Sequence, residues 1–108
     1  MASHEVICSV LGYLTTHKWG TPRRKIEIVR RSGVRKDKRG EAKEAVDELR
    51  KDAPFIKSTD HGICIDTSSS SYYQLAEYLY HECGWPPGEI DDRIKHYEGI
   101  DQHDWYEE

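Results

Sequence analysis

Residues 55–66 read Phe55-Ile56-Lys57-Ser58-Thr59-Asp60-His61-Gly62-Ile63-Cys64-Ile65-Asp66. Two short apolar runs flank Ser58–Gly62, a polar segment closed by glycine. This is the pattern of a β-hairpin. Upstream of it the hydrophobic periodicity is helical throughout, and so is the periodicity downstream. A single hairpin after three helices therefore decides the fold, and the flanking segments follow from it.

Working back from the hairpin, Pro54 ends a helix that starts within Arg35–Arg39 and runs to about Lys51. Ala42, Ala45, Val46 and Leu49 fall at i, i+3, i+4 and i+7 and make one apolar face. Before it lies Ser32-Gly33-Val34. Gly33 suits the left-handed residue after a helix, and Val34 is expected to plug back into the core. The second helix is expected to open at Thr21-Pro22, with Thr21 as N-cap and Pro22 at the first helical position. It carries Ile26 and Val29 inward. The first helix covers about His4 to Lys18 through Val6, Ile7, Val10, Leu11 and Leu14, and Trp19-Gly20 ends it.

Working forward, Thr67–Ser70 connect polar residues to Ser71-Tyr72-Tyr73-Gln74, which has the form of a capping box with Ser71 as N-cap. A fourth helix then runs to about Cys83, with Leu75, Leu79 and Cys83 on one face beside Tyr72, Ala76 and Tyr78. Gly84-Trp85-Pro86-Pro87 is a stop. A short last helix spans about Gly88 to Tyr97, with Ile90, Ile94 and Tyr97 in register. Residues 99–108 form an acidic, aromatic tail.

Charge divides the chain. Residues 1–57 hold 14 Lys/Arg and 8 Asp/Glu, a surplus of six positive charges, whereas residues 58–108 hold 2 and 12, a surplus of ten negative charges. Such a split points to a polyanion-facing half and a half that faces something else. The bland alternative is a solvated surface whose charges balance in space. Apolar residues are only 36% of the 108 residues and charged residues 33%, so the core is small and each helix lends it one face. No run approaches the length of a membrane span, and the start lacks the n- and h-regions of a secretory signal. Cys8, Cys64 and Cys83 are odd in number and contain no Cys-x-x-Cys pair. They are expected to be free thiols in a reducing, cytoplasmic compartment, with Cys8 and Cys83 acting as small apolar residues.

Three helices and a hairpin, with Thr21-Pro22, Val29, Gly33 and Val34 at these spacings, resemble a winged helix-turn-helix over about residues 4–67. The fold class expected is α+β, mainly α, with residues 1–67 as the core. Residues 68–108 would be a C-terminal helical extension packed on it, within one structural domain. The resemblance implies that the third helix enters the DNA major groove and that the hairpin wing touches backbone or minor groove. By position the third helix would present Arg35, Lys36, Lys38, Arg39 and Lys43. Arg23, Arg24 and Lys25 would hold phosphate at the start of the second helix, and Lys57 and His61 would lie on or near the wing. Glu41, Glu44, Asp47 and Glu48 depart from the pattern, because outward carboxylates further along the third helix repel phosphate.

A second resemblance lies in residues 75–85, Leu-Ala-Glu-Tyr-Leu-Tyr-His-Glu-Cys-Gly-Trp, and in residues 94–99. These are similar to the tail of small winged-helix proteins of halophilic archaea and their mobile elements. In molar salt the Debye length is ~3 Å, and counterion release weakens phosphate binding.

The expected function is duplex-DNA binding by a small transcriptional regulator, with a candidate homodimer through the C-terminal helices. The alternative is a protein–protein module that uses the acidic, aromatic half. Neither an enzyme, a cofactor, a small-molecule substrate nor a membrane is implied. His61, Cys64, His81 and Cys83 are metal-ligand types without a zinc spacing, and ordinary core Cys and surface His explain them better. Asp91-Asp92 suits a helix start. Tyr72, Tyr73, Tyr78, Tyr80 and Trp85 could stack on single-stranded bases but read better as core and interface. No phosphate-binding glycine loop or nucleophile elbow is present.

Overall fold

The computed structural model describes residues 3–16, 21–94 and 97–106. Helices α1 (His4–Leu14), α2 (Lys25–Arg31) and α3 (Arg39–Asp52) precede the strands β1 (Ile56–Thr59) and β2 (Gly62–Ile65). Helices α4 (Ser69–His81) and α5 (Pro87–Arg93) follow, with 3-10 turns at Lys36–Lys38 and Ile100–Gln102. The architecture is α+β and mainly helical, and its order is compatible with a winged-helix layout. The first helix ends at Leu14, with Thr15 as its C-cap, short of the expected Lys18; Trp19-Gly20 lie outside the described residues.

The hairpin is antiparallel, with Ile56 opposite Ile65 and Thr59 opposite Gly62, so Asp60 and His61 form its tip. All four residues of β2 are buried, whereas Lys57 and Ser58 of β1 are exposed. The strand β2 is thus covered along its whole length, and β1 is the outer strand of the pair.

The start of the second helix differs from expectation. Thr21 and Pro22 do not open it; the chain stays extended to Arg24, and α2 begins at Lys25. The cause is long-range. The Arg23 N–H donates to the Ile63 carbonyl at 2.9 Å, and the Ile63 N–H donates back to the Arg23 carbonyl at 3.0 Å. Two backbone bonds to the open edge of β2 outweigh the single side-chain bond that a Thr21 cap would supply. Gly62 permits this approach, since its φ is 127° and a Cβ there would collide with the Arg23 carbonyl. The shift turns α2. Ile28 and Val29 are buried, while Ile26, expected inward, is 58% exposed. Gly33 has φ 80°, as its place after a helix requires, and Val34 packs against the core.

The cap of the fourth helix is also corrected. Ser68, not Ser71, is the N-cap, and its Oγ accepts from the Ser71 N–H. Ser71 sits inside the first turn, buried, and donates to Asp66 Oδ2 at 3.0 Å. Gln74 is exposed.

Cys8 and Cys83 are not separate thiols. They form a disulfide that spans 75 positions and ties α1 to the turn after α4, while Cys64 is free and buried. A pairing this distant in sequence leaves no spacing signature, and it removes the ground for expecting a reducing compartment. Arg93 adds a second tie. It donates to the Gly12 carbonyl at 3.1 Å and to Thr16 Oγ1 at 2.6 Å, and lies 5.2 Å from the Trp85 ring centre.

The acidic tail folds back. The last helix ends at Arg93 rather than Tyr97, yet Tyr97, Ile100, His103 and Trp105 are all buried. One apolar cluster runs from Val6 to Trp105. Each fully buried Leu or Ile in it contributes about 1.5–3 kcal/mol. Among the described residues no helix is long and apolar enough to cross a membrane.

Candidate nucleic-acid interface

Helix α3 has one apolar face, with Ala42, Ala45, Val46 and Leu49 buried against the core. That burial fixes the helix phase. Arg39, Lys43 and Arg50 lie on one flank of the buried face and are exposed, whereas the face opposite the core carries Glu44, Asp47 and Lys51. Asp47 does not interrupt the positive stripe electrostatically, because Lys25 Nζ reaches both of its carboxylate oxygens at 2.9 Å. Of the neighbouring acids, Glu41 is likewise held by the protein, while Glu44 is exposed. Glu41 accepts from the Ser3 N–H at 2.6 Å and pairs with Lys38 at 3.6 Å. The Ser3 bonds, followed by the Lys38 charge, hold its carboxyl below the ordinary range despite opposing desolvation. Glu48 faces Tyr78, whose phenol is pushed up by burial, then by Glu82 and Glu48.

The expected phosphate ligands thus separate into two groups. Arg23 pairs with Glu27 at 3.3 Å, and its Nε is buried without a hydrogen-bond partner among the described residues. Lys25, Arg35 and Lys38 are engaged by Asp47, Asp37 and Glu41. Exposed pairs of this kind contribute little to stability, and they dilute the local positive field. Arg24, Lys36, Arg39 and Lys43 are exposed and have no carboxylate partner among the described residues. Lys57 is exposed on β1 and His61 at the hairpin tip. Helix α2 is only 7 residues long and starts after Arg24, so its N–H groups do not form the phosphate cradle expected at Thr21-Pro22. Arg50 was not among the expected residues. The 39-43-47-50 spacing carries it, once the burial of Ala42 and Leu49 sets the phase.

The C-terminal half buries one polar cluster. His103 has no exposed side-chain area. Its Nδ1 lies 2.5 Å from Glu77 Oε2 and its Nε2 lies 2.6 Å from the Tyr97 hydroxyl. A carboxylate only accepts, so Nδ1 carries the hydrogen. Trp105 Nε1 donates to the same Glu77 oxygen at 2.9 Å, and His81 lies 3.2 Å from the other. Burial pushes the Glu77 carboxyl up; the bonds from His103 and Trp105, with the histidine charges, outweigh it and leave the carboxyl below its ordinary value. Burial, then Tyr73, Glu77 and Asp101, push the Tyr97 phenol up to about 12. Stacked rings support this cluster, Tyr73 on His103 at 4.3 Å and Tyr80 on Trp105 at 4.5 Å.

Of the four metal-ligand types, Cys83 is consumed by the disulfide. Among the described residues no group of three or more His, Cys, Asp and Glu is placed to hold a metal ion. Comparison of the chain with protein-family models, with curated proteins and with solved structures returns no match.

Proposed function

We propose that the chain is a duplex-DNA-binding protein, a small transcriptional regulator on a winged helix-turn-helix scaffold. Residues 1–67 would be the reading core and residues 68–108 an extension that braces it. The observation that carries the reading is the outward stripe of Arg39, Lys43 and Arg50 on α3, whose one interposed acid is neutralised by Lys25. Lys36 and Arg24 beside it, and Lys57 on the hairpin, extend the positive surface. The left-handed Gly33 between α2 and α3 supports a steep crossing of the two helices. The sequence resemblance to winged-helix proteins of halophilic archaea agrees with the same reading and with a cytoplasmic site of action. The proposal includes a dimer through the C-terminal helices, which light scattering across salt concentrations tests.

The deciding experiment is the affinity for a labelled mixed-sequence duplex across a salt series, with Arg39→Glu/Lys43→Glu beside the native chain. The native chain binds with a log–log salt slope of about −0.9 for each phosphate neutralised. The double variant loses at least about tenfold in affinity and has a shallower slope. Unchanged affinity overturns the reading. Sequencing of retained genomic fragments then separates motif-specific from backbone binding.

A second reading, a protein–protein module, is favoured by one feature. Tyr73 is 44% exposed beside an apolar groove of about 440 Å³ that includes Phe55 and Tyr78. Under it, function survives the α3 charge reversal and is lost on Tyr73→Ser.

A further inference from the structure

Between the start of α4 and the residues that follow α5 lies a cleft of about 750 Å³, lined by Thr67, Ser70, Tyr72, Tyr73, Tyr97 and Glu98 among others. That volume is within the range of small-molecule sites. Three of its walls are phenol rings. Tyr72 and Tyr97 meet edge to face at 5.9 Å and 61°. Tyr73 stacks on the buried His103, and Tyr97 is held by its hydroxyl on the other side of that same imidazole. Their ring positions are thus set by packing before anything binds, which lowers the cost of ordering on binding.

Among the described lining residues the one charged group is the Glu98 carboxylate. Asp66 and Asp101 lie close enough to push up the phenols of Tyr72 and Tyr97, in both cases after burial as the larger cause. At the start of α4, Asp66 accepts from the Ser68 N–H at 3.3 Å and from the Ser71 hydroxyl at 3.0 Å, which holds its carboxylate beside the helix start. A cation over the electron-rich faces of aromatic rings is favoured, and more so where water is partly excluded.

We propose that this cleft binds an organic ammonium ligand, seated against Tyr72, Tyr73 and Tyr97 with Glu98 as its counter-charge. Thr67 and Ser70 offer hydroxyls to a polar arm of such a molecule. The inference stands apart from the DNA reading, since it uses none of the α3 cations, and either one fails without the other.

The test is titration of the intact, oxidised protein with choline at fixed ionic strength, read by calorimetry and by tyrosine resonances. A parallel titration uses its neutral isostere, dimethylbutanol, in which carbon replaces the quaternary nitrogen. Saturable choline binding, with the isostere at least about tenfold weaker, is expected. Tyr73→Leu and Glu98→Gln should each weaken choline several-fold, and Glu98→Gln, at an exposed position, should leave the urea midpoint unchanged. Equal affinity for the two probes overturns the proposal, as does no saturable binding of choline, or choline binding that neither variant changes.

Discussion

The basic and acidic halves of the chain treat polar side chains differently. In residues 21–65 the charges stay at the surface, where Lys25–Asp47 and Arg35–Asp37 are exposed pairs and Arg39 and Lys43 face solvent. In residues 69–106 most carboxylates are exposed as well, but Glu77 turns inward and with His103, Tyr97 and Trp105 closes a network around an imidazole with no exposed area. Surface charge in water costs little and can be shed to a polyanion, whereas a buried polar group must be satisfied within the protein. The first half thus keeps its charges in water, whereas the second closes a satisfied polar network, and the disulfide and Arg93 tie it to α1.

The largest break in this comparison is to sever the halves. Cys8→Ser, or reduction, opens a link spanning 75 positions and should lower stability by about 4 kcal/mol, seen in urea melts with and without reductant. Duplex affinity measured under native conditions should change far less than stability does.

Next is the buried network. His103→Ala removes a fully buried ring and both of its bonds, and should cost about 2–4 kcal/mol by the same melts. Arg39→Ala, on the exposed face of α3, should stay within about 0.5 kcal/mol.

Titration sharpens the contrast without mutation. The Tyr97 phenol is raised from 10.0 to about 12, so the folded state keeps a proton that the unfolded chain releases. Its contribution is complete below pH 10 and is lost as pH rises to about 12. Tyr97→Phe should remove that part of the alkaline decline in the melting temperature. Glu77 is lowered, so its contribution is complete above its ordinary 4.5 and is lost as pH falls further. Glu77→Gln should flatten the acid limb.

The smallest effect is expected at Ile26. Ile26→Ser should change stability by no more than about 0.5 kcal/mol because the side chain is 58% exposed, whereas Ile28→Ala should cost about 2–5 kcal/mol. Similar losses at the two positions would mean that α2 is not turned as described.

Ile26 also marks how far the chain could be read directly. The α3 face, the hairpin and Gly33 follow from local periodicity and turn chemistry, and the structure places them where that chemistry puts them. Most of the basic residues were visible as a charge surplus. Which of them stay available was not, since Lys25 meets Asp47 across 22 positions and Arg23 is drawn to the edge of β2. The cleft was invisible as a site, although each of its tyrosines was noted, because only the return of residues 97–103 onto α4 brings them together.

Sequence alone determined the number and order of the helices, the hairpin and the opposite charges of the two halves. These depend on neighbours a few residues apart, where backbone preference and hydrophobic period act. Tertiary structure alone decided the disulfide, the start of α2 and the burial of His103. Each is settled by a partner distant in the chain. At the start of α2 the margin is two hydrogen bonds, about 1 kcal/mol each.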